Sequence, residues 1–120
     1  MITFTSFRHA FKGLRSVISR ERNAKIHIFF AALAICASIL FRISVFQLAL
    51  VIFAIILVFF AEVTNTAIER TLDLITSERN QVVELIKDMT AGGVLVCAGG
   101  AVLIAVCIFG PHIYEMITRW

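Results

Sequence analysis

The sequence predicts an all-α membrane protein with three transmembrane helices per protomer and an N-terminal amphipathic helix in the interface. Three observations carry this. Of 120 residues, 60% are hydrophobic and only 16% are charged, against about 45–50% apolar in a soluble domain. Three long stretches carry no formal charge: Ile26 to Phe41, Ile43 to Ala61 and Met89 to Tyr114. The basic residues are gathered on one side of these stretches, as membrane insertion favours.

The N-terminal segment comes first. Phe4, Phe7, Phe11, Leu14 and Ile18 recur at helical spacing, with Arg8, Lys12 and Arg15 beside them. An apolar stripe flanked by cations predicts a surface helix over about 4–22 that lies in the headgroup region. The first 25 residues hold six Lys/Arg and no apolar core run, so no cleaved signal peptide is expected. The first span is predicted at about 26–42. Its 16 uncharged residues are short for a bilayer core of about 30 Å, and snorkelling of Lys25 and Arg42 makes up the difference. Arg42-Ile43-Ser44-Val45 leaves room only for a tight turn, so the second span, about 45–70, runs antiparallel to the first.

The third span is predicted at about 89–114. It is rich in small residues, including Gly92, Gly93, Gly99 and Gly100. Glycines seven apart line one face and permit close helix contact in lipid, so a homo-oligomer is expected. Residues 1–25 and 70–90 together hold nine Lys/Arg and the opposite side two, Arg42 and Arg119. The N-terminus and segment 70–90 are therefore expected in the cytoplasm and the C-terminus outside. Cys36, Cys97 and Cys107 sit in apolar runs with no metal spacing and read as small hydrophobes. The chain is short enough to form a single domain over 1–120.

The informative polar pattern follows the second span. Glu62, Asn65 and Glu69 stand at i, i+3 and i+7, and Asp73 at i+11 joins them on one helix face. Carboxylates at a lipid boundary are costly and point to function. Glu21 and Asn23 precede the first span and Lys87-Asp88 the third, all on the same side. Oxygen ligands such as Glu21 and Glu69 suit Mg²⁺, Lys87 suits phosphate charge, and Glu62 suits proton removal from a hydroxyl at the membrane surface. These are the parts of phosphoryl transfer. The plain alternative makes Glu62 and Glu69 interface carboxylates salt-bridged to Arg22 or Arg70. Glu84 reads as part of a solvated face, His27 as an interface residue, and His112 as inert at the far surface. No soluble-type nucleotide motif occurs. A proton- or cation-coupled transporter subunit is a second reading, but it would place its carboxylate near mid-membrane. A holin-like assembly protein has no need of a one-sided Glu/Asn/Glu face.

Lys12-Gly13-Leu14-Arg15, Glu21-Arg22-Asn23, Glu62-Val63-Thr64-Asn65-Thr66-Ala67-Ile68-Glu69 and Lys87-Asp88-Met89 occur in this order. With them the chain resembles the small prokaryotic diacylglycerol kinase/undecaprenol kinase family, from about Phe7 to Phe109. The stretch from Glu21 through Lys25-Ile26-His27 is similar to the undecaprenol kinase branch. The resemblance implies a homotrimer in the bacterial inner membrane, with active sites shared between subunits. It implies ATP- and Mg²⁺-dependent phosphorylation of a lipid hydroxyl, undecaprenol in preference to diacylglycerol. It makes Glu62 the general base, Glu21 and Glu69 the Mg²⁺/ATP carboxylates, and Asn65 the supporting amide. Lys87 and Asp88 would hold ATP, with Asp73, Glu78, Arg79 and Asn80 bordering the nucleotide. His9 stands where the enterobacterial branch has a tyrosine near the nucleotide, and falls at the adenine. Lys12, Arg15 and Asn23 with Glu62 would meet the lipid substrate, and the segment 16–20 would flank its headgroup.

Overall fold

The computed structural model describes residues 4–119, and its elements are four α-helices: α1 Phe4–Arg20, α2 Arg22–Leu40, α3 Val45–Ile75 and α4 Gln81–Thr118. The last three are long and apolar enough to cross a membrane. Most of their large apolar side chains are exposed, among them Phe29, Phe53, Phe60, Leu95 and Leu103. That is the reverse of a water-soluble bundle and fits a lipid surround.

The joints follow from local chemistry. Between α1 and α2 a single residue, Glu21, breaks the helix with extended backbone, and its side chain makes no capping bond. Between α2 and α3 the chain reverses tightly. Arg42 takes a positive φ of 52°. Ser44 then opens α3 with a reciprocal cap: its hydroxyl accepts from the Gln47 amide, and Gln47 Oε1 accepts from the Ser44 amide, each at 3.1 Å. The helices on either side are therefore antiparallel neighbours, as the four-residue turn implied. Between α3 and α4, Asn80 Oδ1 accepts from the amides of Val82 and Val83 and starts the last helix.

Both later helices outrun the bilayer. At about 1.5 Å per residue, the 31 residues of α3 reach about 46 Å. Its charged portion, from Glu62 onward, follows an apolar stretch of about 26 Å over 45–61. The 38 residues of α4 account for the longest dimension of the molecule, 58 Å. Pro111 lies within α4 near its end. The packed core is remote from the charged end: Val51, Ile108 and Phe109 are buried together, with Ile35, Phe41 and Ile55 against them. His112 stacks on the Phe41 ring at 5.4 Å. All three cysteines are free.

Candidate functional site

The site is built where α1 ends, α2 begins and α3 leaves its apolar stretch. The i, i+3, i+7 spacing on α3 puts Glu62, Asn65 and Glu69 on one side, and Thr66 at i+4 joins them. Glu62 and Thr66 are the largest fully buried side chains among the described residues, at 2% and 1% exposure, and Asn65 is also buried. An uncompensated buried carboxylate costs several kcal/mol, so its surroundings decide its role. Three oxygens here are sealed with no hydrogen-bond partner: Glu62 Oε2, Asn65 Oδ1 and Thr66 Oγ1. Such a cluster is costly in a fold and is expected where another group is meant to bind.

The polar contacts around this cluster cross between helices. His27 Nε2 on α2 lies 3.6 Å from Glu62 Oε2. Glu69 on α3 and Glu21 at the α1–α2 joint also act electrostatically on Glu62. Asn65 Nδ2 donates to Glu69 Oε1 at 3.4 Å. Arg70 ties three elements together. Its Nη1 donates to Ser16 Oγ at 2.8 Å, and its Nη2 reaches the Ser16 carbonyl at 3.4 Å and Glu21 Oε1 at 3.3 Å. Arg70 is thus spent on Glu21 and α1. The plain alternative of an Arg70 salt bridge to Glu62 or Glu69 is not what forms. On the α4 side, Lys87 Nζ donates to Asp73 Oδ1 at 2.7 Å. Lys87 precedes the uncharged span of α4, and that hydrogen bond holds its ammonium above the ordinary lysine value.

The remaining positions are looser. His9, Lys12, Arg15, Asn23, Glu78 and Asp88 are exposed. Arg79 is paired with Glu84 at 2.9 Å on the surface, and Asn80 is the cap of α4. Sequence reasoning missed three features. Thr66 was recoverable, since it shares the helical face of Glu62. His27 and the Arg70–Ser16–Glu21 hub were not, because they depend on how α1 and α2 are docked on α3.

The donor set is all oxygen. Glu21 and Glu69 keep carboxylate lone pairs beyond the single bond each accepts, and Asn65 Oδ1 is free to accept. Among the described residues no three His, Cys, Asp or Glu side chains enclose an ion by themselves. Two carboxylates with open lone pairs fit Mg²⁺, a hard cation that keeps waters and substrate phosphates as its other ligands.

The family model described as Prokaryotic diacylglycerol kinase matches residues 8–109. A diacylglycerol kinase of Synechocystis sp. is 30% identical over 114 residues, 94% of this chain and 65% of that protein. An undecaprenol kinase of Bacillus subtilis is 34% identical over 110 residues, 92% of this chain and 89% of that protein. The chain thus spans a little under two thirds of the Synechocystis relative and most of the Bacillus one.

Proposed function

The chain belongs to the prokaryotic diacylglycerol kinase family, and from that premise we propose that it is a lipid kinase moving the γ-phosphoryl group of ATP to the hydroxyl of a membrane lipid. The observation that carries the reading is the buried Glu62 carboxylate, one oxygen of which is sealed without a hydrogen-bond partner, on the α3 face it shares with Asn65 and Glu69. In this reading Glu62 removes the proton of the lipid hydroxyl, the freed oxygen attacks the γ-phosphorus, and ADP leaves. A general base of this kind contributes about 10²- to 10⁴-fold. Glu21 and Glu69 would hold Mg²⁺, which neutralises charge on the phosphates. Asn65 holds Glu69 in place. Lys87, kept in position by Asp73, meets the phosphates, and Asp88, Glu78, Arg79, Asn80 and His9 border the nucleotide.

The preferred acceptor is undecaprenol. The similarity of residues 21–27 to the undecaprenol kinase branch supports it, as does the fuller coverage of the Bacillus subtilis relative. Diacylglycerol is the alternative. Lys12, Arg15 and Asn23 lie beside the lipid headgroup, and α1 rests in the interface with Phe4, Phe7 and Phe11 toward lipid, all three of which are exposed. The charge asymmetry of nine Lys/Arg against two supports a cytoplasmic site in the inner membrane, where ATP is present. The assembly is a homotrimer with sites shared between subunits.

The test is transfer of label from ATP to undecaprenol and to diacylglycerol, side by side, by purified protein in mixed micelles. Wild type is expected to label undecaprenol faster. Glu62→Gln is expected to lower kcat by at least about 10²-fold. Label on neither lipid sinks the kinase reading, and full turnover by Glu62→Gln sinks the base assignment.

A further inference from the structure

We propose that His27 is a positioning residue for Glu62, fixing one carboxylate oxygen so that the other faces the lipid hydroxyl. The proposal rests on the lipid-kinase reading above. Glu62 is almost fully buried, and its two oxygens are not equivalent. Oε2 is sealed and without a hydrogen-bond partner, whereas Oε1 is not among the sealed oxygens. The sealed oxygen is the one that faces His27, 3.6 Å from Nε2. The charged and titratable groups that act on Glu62 are Glu69 on its own helix, Glu21 at the α1–α2 joint and His27 on α2; none on α4 does. Glu69 and Glu21 repel a carboxylate, and among the described residues His27 is the group that can attract it. Arg70 does not compete, since its guanidinium is engaged by Ser16 and Glu21.

The placement has the geometry of an orienting contact. A side chain on α3 with several rotatable bonds is met by a ring on the antiparallel α2, and the ring can donate from Nε2. The present separation is roughly 0.5 Å longer than a hydrogen bond, and bonds to catalytic carboxylates tighten in the reactive complex. An N–H on Oε2 removes one rotational freedom of the carboxylate and leaves the lone pairs of Oε1 for the substrate proton. His27 is 21% exposed at its side chain, so it borders the site without filling it.

The experiment compares His27→Leu, His27→Gln and wild type in the dual-lipid assay, with ATP and lipid each titrated. Glutamine carries an N–H at nearly the reach of Nε2, and leucine carries none. His27→Leu is expected to lose about 10²-fold in kcat, with both KM values within about threefold. His27→Gln is expected to recover most of kcat. In a Glu62→Gln background His27→Leu should cost nothing more. Should His27→Leu fail to fold, His27→Asn, which withdraws the donor by about one bond, is expected to show the same kcat loss. An active wild type with undiminished kcat in His27→Leu or His27→Asn overturns the proposal and leaves the kinase reading standing. So does a loss in His27→Gln as large as in His27→Leu. A wild type that labels neither lipid brings down the kinase reading, and this proposal with it.

Discussion

Lys87 already has a carboxylate at 2.7 Å, so a phosphate that recruits it finds the ammonium oriented by Asp73. The pair is open to solvent, with Asp73 the more exposed member, and such pairs are weak and salt-sensitive. Asp73→Asn is therefore expected to raise KM for ATP by about two- to fivefold, with kcat little changed and the effect fading in high salt. A lower KM would mean that Asp73 competes with the nucleotide for Lys87. Glu62 is the opposite case, a carboxylate that is only 2% exposed. The sequence exposed it plainly, because Glu62, Asn65 and Glu69 share a helical face that no lipid-facing helix would keep. It could not expose His27, since a lone histidine at residue 27 comes to Glu62 only through the docking of α2 on α3.

At the scale of elements, α1 touches the rest of the site through Arg70. Its bonds to Ser16 and Glu21 hold the surface helix and the α1–α2 joint against α3. The Arg70 and Glu21 side chains are 40% and 32% exposed, which discounts the ion pair to about 0.5 kcal/mol or less. The Ser16 hydroxyl adds a charge-assisted bond. Arg70→Met is expected to speed trypsin cleavage within α1 several-fold. Ser16→Ala should give part of that effect, and the double variant less than the sum. Equal cleavage in all four proteins would show that α1 is held by Val17 packing instead. The spans were legible because lipid forbids charge over about 20 residues. The helix ends were not. Nothing in Thr71-Leu72-Asp73-Leu74-Ile75 or in Gln81-Val82-Val83-Glu84 breaks a helix, so α3 runs on to Ile75 and α4 starts at Gln81. Only the joint between them, with its Asn80 cap, stops the pattern.

For the whole molecule, the glycines of α4 carry the argument. A methyl group added at Gly92, Gly93, Gly99 or Gly100 meets nothing within 4 Å. The small face is not used inside the protomer, although small faces in lipid serve close helix contact. Gly99→Leu is therefore expected to leave the protomer folded but to abolish the proposed trimer, read by crosslinking in mild detergent, and with it turnover at the proposed shared sites. Intact trimers in that variant would move the subunit contact elsewhere. The division of the bundle between a packed end and a charged end has one more consequence. Val51, Ile108 and Phe109 clamp one extremity, while the other is joined by half-exposed polar bonds. Eleven residues of α3, roughly 16 Å, separate Val51 from Glu62. A tilt of a few degrees about the apolar end moves α3 at Glu62 by only about 1 Å over that length, so the packing of Val51, Ile108 and Phe109 helps to fix where the Glu62 carboxylate stands.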